Sequence, residues 1–247
     1  MKEKLENLNL PHQGNIDVLK TRLENSKNST KSNSSYRYFM CIDFEATCDG
    51  DIVERDGKIS FRSSRSKGQK FVNEIISFPV SIVDIQNHCV VDEFHTFIKP
   101  TLNPTLTNYC KQLTGIEQSD VDQAPEFKDA IKNFEDYFKD NLSSDNTLLV
   151  SDSSYDFTGF LKKQCGISKV KYPNWAKHWV NLKTLFVDFY QVKCNEKQMP
   201  TLRSMVEMAG LQFSGKLHSG MDDVENMAKL LLRMADDGVK GIQPRVG

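Results

Sequence analysis

Phe39-Met40-Cys41-Ile42-Asp43-Phe44-Glu45-Ala46-Thr47 decides the reading of this chain. Four apolar residues read as a strand entering a core, and the strand surfaces with two carboxylates. In a strand, residues i and i+2 share a face, so Asp43 and Glu45 point the same way beside a hydrophobic sheet. Adjacent like charges raise each other's pKa unless a cation lies between them. An all-oxygen pair suits Mg²⁺ or Mn²⁺ better than zinc. On spacing alone, a strand end with two solvated acids reads equally well. The rest of the chain decides between the two.

At 247 residues the chain is long enough for one sizeable core and a small appendage. Its 38% hydrophobic and 26% charged content is that of a soluble globular protein. Apolar runs fall well short of the ~20 residues of a membrane span. Met1-Lys2-Glu3-Lys4 does not begin a leader peptide. Cys41, Cys48, Cys89, Cys110, Cys165 and Cys194 form no C-x-x-C, which argues against structural zinc and for reduced thiols in the cytoplasm or nucleus. Nothing implies an oligomer.

A net charge of −1 does not by itself advertise nucleic-acid binding, but its distribution is uneven. Residues 1–37 carry seven basic side chains against four acidic ones, and six lysines with no acid lie between Lys162 and Lys183. A locally basic face on a neutral protein can bind phosphates.

Outward from the opening stretch, residues 1–25 read as two short helices broken at Pro11-His12-Gln13-Gly14, with Asp17 opening the second. Leu5-x-x-Leu8-x-Leu10-Pro11-x-x-Gly14 followed by Val18-Leu19-x-x-Arg22-Leu23 resembles the SAP motif, a helical nucleic-acid-binding module, with a shortened first helix. The resemblance marks Lys20 and Arg22 as nucleic-acid contacts. Residues 26–35, polar and small, read as a flexible linker reaching about 15–20 Å, which lets the first module move against a main domain at 36–240.

After the first strand, Asp56-Gly57 between β-like runs over 52–61 predicts a hairpin, followed by a basic surface segment containing Arg62 and Arg65. Glu74–Val83 and Val90–Lys99 read as two further strands, with Pro79 marking a bulge or an edge. Phe127, Ile131, Phe134 and Phe138 recur at helical spacing within 125–142 and belong to the core. Thr147–Ser151 is a short buried strand that delivers Asp152 and Asp156. Helices are expected over Val180–Tyr190, over Leu202–Ala209, and from Asp222 to Gly238.

Asp43, Glu45, Asp156, His218 and Asp223 thus stand at element boundaries. Their order resembles the DEDDh 3′–5′ exonucleases, within them the enhanced-RNAi and histone-mRNA 3′-exonuclease group. Asp43-Phe44-Glu45-Ala46-Thr47-Cys48, Asn73-Glu74-Ile75-Ile76-Ser77-Phe78-Pro79, Leu113-Thr114-Gly115-Ile116, Lys171-Tyr172-Pro173 and His218-Ser219-Gly220-Met221-Asp222-Asp223 carry the likeness over about 38–238. It implies an α/β ribonuclease H-like fold, a mixed sheet flanked by helices, beside the small helical module. Tyr155 stands where the family usually has tryptophan, which leaves Asp152 a rival to Asp156. Asp156 is preferred because it enters the Phe157/Phe160/Leu161 helix, and Asp223 is preferred to Asp222 on its spacing from His218. The insertion at 50–72 has no counterpart in the family pattern.

The resemblance implies two Mg²⁺ ions, with Mn²⁺ an alternative, held by Asp43, Glu45, Asp156 and Asp223. Such a pair clamps the attacking and leaving oxygens of a phosphodiester. His218 would take the proton of the attacking water. Ala46, Thr47, Leu113, Thr114 and Gly115 would surround the terminal nucleotide. Trp175 and Lys177 are candidate contacts along the Lys162–Lys183 stretch, although the two tryptophans read first as core. The expected activity is trimming of 3′ ends of duplex or stem-loop RNA, such as siRNA or rRNA ends, with 5′-nucleoside monophosphates released and ribosome or RNP association possible in the cell. A DNA 3′ exonuclease and a catalytically silent RNA-binding scaffold are the alternatives.

Overall fold

In the computed structural model the described residues are 1–26, 36–55, 58–63, 71–141, 146–195, 198–239, 242 and 245–246. The expected linker at 27–35, the Asp56-Gly57 turn and the basic residues 64–70 lie outside them. The strand that opens the sequence reading, β1 (Tyr38–Ile42), sits in the middle of a mixed sheet. Its side chains alternate between two cores, as a period of two requires. Phe39 and Cys41 face one core, and Met40 and Ile42 face the other.

Beyond β1 come β2 (Glu45–Ala46) and the two-stranded hairpin β3 (Gly50–Arg55) and β4 (Lys58–Ser63). β5 (Ile75–Asp84) runs antiparallel to β1 and β2 along one edge and to β6 (Cys89–Phe97) along the other. β1 pairs in parallel with β7 (Thr147–Ser151), and β7 pairs in parallel with β8 (His178–Asn181). β9 (Arg245–Val246) closes the sheet antiparallel to β8, so the chain returns to the fold beyond the boundary at 240 that the sequence suggested. Val180 lies in β8 rather than in a helix. The helix starts one residue after the strand ends, with Asn181 capping it, and a four-residue strand is too short to show a pattern.

Pro79 is not at an edge, because β5 has partners on both sides. It faces the gap between β1 and β2, where Ile42 pairs Val80 and Glu45 pairs Ser77 in one register while residues 43 and 44 leave the ladder. A proline has no N–H to offer there. The lost pairing lets Asp43 and Phe44 turn to other partners.

Helices cover both faces. α3 (Asn108–Thr114), α4 (Gln118–Asp122) and α5 (Phe127–Asn141) follow β6. Phe127, Ile131 and Phe134 of α5 are buried beside Met40, Ile42 and Phe78, with a π-helical turn at Asp156–Leu161 and α6 (Lys162–Ile167) completing that core. The opposite core packs Phe39 and Cys41 against α7 (Leu182–Tyr190), α8 (Leu202–Met208) and α9 (Gly220–Asp236). Each such side chain contributes roughly 1.5–3 kcal/mol by leaving water.

The N-terminal unit is part of this second core rather than a freely moving module. α1 (Lys2–Glu6) and α2 (Ile16–Asn25) place Val18 among the residues of α7, α8 and α9. Arg22, expected to meet nucleic acid, is 2% exposed and donates to Asp237 from Nε at 2.6 Å and Nη2 at 2.8 Å. Its other donors reach the carbonyls of Pro11, Gln13 and Ala209, and Tyr190 donates to the same Asp237 carboxylate at 2.7 Å. A buried guanidinium with every donor engaged has nothing left for a phosphate. Lys20, two residues earlier on α2, remains exposed.

Candidate active site

The C-terminal ends of the parallel strands β1, β7 and β8 open onto one cavity of about 370 Å³, lined among others by Asp43, Glu45, Asp152, Lys183, His218 and Asp223. Its geometry builds from local rules. β1 ends at Ile42, Phe44 turns its ring onto Phe78 at 4.8 Å, and the carboxylates on either side of it face the cavity. The backbone N–H of Phe44 donates to Oδ1 of Asp156 at 3.1 Å.

Asp156 is 3% exposed at the first turn of the π-helical segment, where Ser151 and Ser153 donate to its other oxygen. Of the two rivals, Asp156 is therefore bound directly to the first motif. Asp152, rather than Asp156, lines the cavity, and Lys183 holds it in an ion pair at 3.0 Å. Tyr155, the departure from the family pattern, lies over Gly159, where a Cβ would come within 2.5 Å of its ring, and meets Phe160 edge-on.

The last acid arrives on α9. Gly220 starts that helix against the sheet, where a Cβ would stand 2.7 Å from Pro79 and 3.3 Å from the carbonyl of Asp43. Only a glycine allows so close an approach. Asp223 follows within the first turn, is 3% exposed, and accepts the backbone N–H of His218 at 2.8 Å. His218 adopts φ 64°, a left-handed conformation that histidine tolerates better than most side chains. Asp222 turns away to the backbone N–H of Lys216, whereas Asp223 lines the cavity.

Electrostatics mark the site as built for cations. Burial, then Asp156, Glu45, Asp223 and Asp152, hold the Asp43 carboxyl well above the usual range. Burial followed by Asp223 and Asp156 does the same to Glu45. Burial pushes Asp156 up to about 6 and Asp223 up to about 7, against the hydrogen bonds they accept. His218, an exposed residue whose ring is partly desolvated by its neighbours, is lowered chiefly by that desolvation, with Lys216 and Lys183 adding to the effect and Asp152 opposing it. Donor atoms of Glu45, His218 and Asp223 lie within 4.8 Å of one another, and Oδ1 of Asp223 is buried with no hydrogen-bond partner among the described residues. An unpaired buried carboxylate oxygen among raised acids fits a divalent cation.

The candidate substrate contacts divide. Ala46 and Leu113 line the cavity. The hydroxyl of Thr47 accepts from the Glu74 N–H, and that of Thr114 donates to the Cys110 carbonyl, so both serve the scaffold. Gly115, φ 81°, caps α3 beside a neighbouring groove. Trp175 and Lys177 precede β8, at the end of the sheet away from the acids, because β8 runs parallel to β7 and must climb about 13 Å to reach the site. Trp175 packs on Phe134 at 4.8 Å and donates to Glu135, and Trp179 stacks on Phe157 in the core. Glu74 is no ligand either: its carboxylate is saturated by Thr101, Leu102 and Asn103. Asp152 and Lys183 were visible in sequence, one as a rival acid and one in a basic run, without the ion pair that joins them. Lys216 carried no signal.

An exonuclease family, RNase_T, matches residues 40–231. The chain is 34% identical over 250 residues to a human protein named 3′-5′ exoribonuclease 1, covering 96% of this chain and 66% of that one. It is 28% identical to the 3′-5′ exonuclease eri1 of Schizosaccharomyces pombe, covering 96% of this chain and 86% of the other. Among solved structures, the nuclease domain of 3′hExo, a DEDDh family member bound to rAMP, superposes with a TM-score of 0.72 at 33% identity, over 88% of this chain and 98% of that one. A 3′-exonuclease solved for its 3′-end specific recognition of the histone mRNA stem-loop gives 0.71 at 33% identity, over 87% of each chain.

Proposed function

The chain belongs to the exonuclease family that matches residues 40–231, and from that premise we propose that it is a 3′–5′ exoribonuclease trimming structured RNA ends. One observation carries the reading: acids from two separate segments, Asp43/Glu45 and Asp223, line one cavity with His218, and Asp156, buried and bound to the Phe44 N–H between the first two, joins them in raising one another's pKa. Relatives named 3′–5′ exoribonuclease, and a similar nuclease domain solved with a ribonucleotide, support RNA as the substrate class. A similar exonuclease that recognises a histone mRNA stem-loop supports a structured 3′ end.

Members of this family work with divalent metal ions. Two Mg²⁺ ions, or Mn²⁺ in their place, would be held by Asp43, Glu45, Asp156 and Asp223, and would neutralise charge on the scissile phosphate. The residues of the chain do the rest. Phe44 and Ser151 fix the Asp156 carboxylate in place by hydrogen bonds, so it costs little to organise at the moment of reaction. His218, its pKa lowered from the ordinary histidine value, takes a proton from the attacking water at a ring nitrogen. Ala46 and Leu113 give the terminal nucleotide an apolar wall.

The test is a matched pair of 5′-labelled stem-loops, one RNA and one DNA, each with a short 3′ overhang, incubated with Mg²⁺. The reading expects a ladder shortening from the 3′ end on RNA, with a clear preference over DNA. Preferential digestion of DNA would assign the activity to the alternative substrate. Binding of RNA without turnover would support a silent scaffold.

A further inference from the structure

We propose that the β3–β4 hairpin and α3 form a second wall of the substrate channel, which grips the RNA strand upstream of its 3′-terminal nucleotide; this rests on the exoribonuclease reading above. Directly paired strand residues share a face. Ile52 pairs Phe61 and Glu54 pairs Ile59, so one face of the hairpin carries Ile52, Phe61 and Ile59 together with Glu54. That face is turned to α3, because Phe61 meets Tyr109 edge-on at 5.5 Å. Gly50 at the hairpin base packs so closely that a Cβ would lie 2.7 Å from the Tyr109 ring.

Between hairpin and helix runs a groove of about 620 Å³, lined by Ile59, Phe61, Asn108, Lys111, Gln112 and Lys216, with Glu117 its acid. Ile59 is 59% exposed, an apolar side chain held in water beside two lysines. A nucleic-acid strand offers the complement of both: flat apolar base faces and anionic phosphates.

The groove and the catalytic cavity are lined by neighbouring residues of the same two segments. Leu113 lines the cavity one residue after Gln112 lines the groove, and His218 does so two residues after Lys216. Cys48, just before the hairpin, lines the cavity as well. Lys216 donates from Nζ to the Gln112 carbonyl at 2.8 Å, which pins the segment leading to His218 against α3. One N–H of that ammonium is used there, and a lysine has three. A strand whose 3′ end sits among the acids can therefore leave past Lys216 and Lys111 and lay its next bases on Ile59 and Phe61.

The test compares a ten-nucleotide single-stranded RNA with a dinucleotide in wild type, Ile59→Glu and Lys111→Glu. Both changes are at the groove surface, and unchanged thermal midpoints confirm the fold. The ratio of kcat/KM for the long over the short substrate is expected to fall about tenfold in each variant, the scale of one lost stacking or phosphate contact. An unchanged ratio in both variants would overturn the proposal, as would an equal loss on the two lengths. A wild-type protein that cleaves neither RNA would instead bring down the exoribonuclease reading on which the proposal stands.

Discussion

The backbone N–H of Phe44 is bound to the carboxylate of Asp156, a contact across 112 residues of chain. Phe44 stands between Asp43 and Glu45, so the bond that holds the second motif also fixes the gap in the sheet from which the first motif's acids emerge. Pro79 opposite that gap and Gly220 packed upon it bring α9 and Asp223 to the same place. The site is a junction of four segments, and each can be loosened separately.

Asp156→Asn keeps an oxygen for the Phe44 N–H while removing a charge from the cluster. It is expected to lower kcat/KM on RNA by at least about 100-fold, since even indirect ligand supports are worth 10–100-fold in metal affinity. Circular dichroism should show a folded protein. Activity within a few-fold of wild type would remove Asp156 from the cation site.

The raised acids make metal-free stability depend on pH in a definite direction. Asp223, lifted to about 7 by burial and neighbouring acids, costs stability above its unfolded value near 4, and the cost grows until the pH passes the folded value. Asp223→Asn removes that cost. In chelator the variant's thermal midpoint should therefore exceed wild type's by more at pH 7.5 than at pH 5. Adding Mg²⁺ at pH 7.5 should raise the wild-type midpoint and barely move the variant's.

His218→Asn tests the base. Loss of a general base costs about 10²–10⁴ in kcat. The Mg²⁺-induced rise in midpoint should persist, because the four acids remain. Its disappearance would make His218 a metal ligand, a role its closeness to Glu45 and Asp223 makes concrete.

Arg22→Ala tests the docking of the N-terminal helices. It would leave Asp237, whose side chain is 1% exposed, with a buried unpaired charge, a loss of roughly 3–5 kcal/mol. Urea unfolding should show a lower midpoint, and Arg22→Lys should not restore it, since one ammonium cannot reproduce the fork to Asp237 and three carbonyls. A midpoint unchanged from wild type would detach the N-terminal unit from the fold.

Much of this was legible beforehand because it follows local rules. The β1 run, the Phe127/Ile131/Phe134 stripe and the Gly238 stop are periodicity and φ preference written directly in residues. The acids were legible because their order along the chain matches a known pattern. Other features depend on distant partners. Arg22 looks like any helix-surface arginine until Asp237 folds over it. Lys177 and Lys183 belong to one basic run, yet β8 carries them to opposite ends of the sheet, and only Lys183 reaches the cavity. Thr47 and Thr114 sit in the right segments, but their hydroxyls are taken by backbone groups that no pattern reveals.

The most direct test is to label the 3′-terminal nucleotide of a stem-loop RNA and identify the first labelled product released with Mg²⁺. The account predicts a 5′-nucleoside monophosphate, formed by wild type, abolished by chelator and absent with Asp43→Ala. Release that survives chelation, or a labelled internal fragment in place of the mononucleotide, would contradict a metal-dependent exonuclease site at Asp43, Glu45, Asp156 and Asp223.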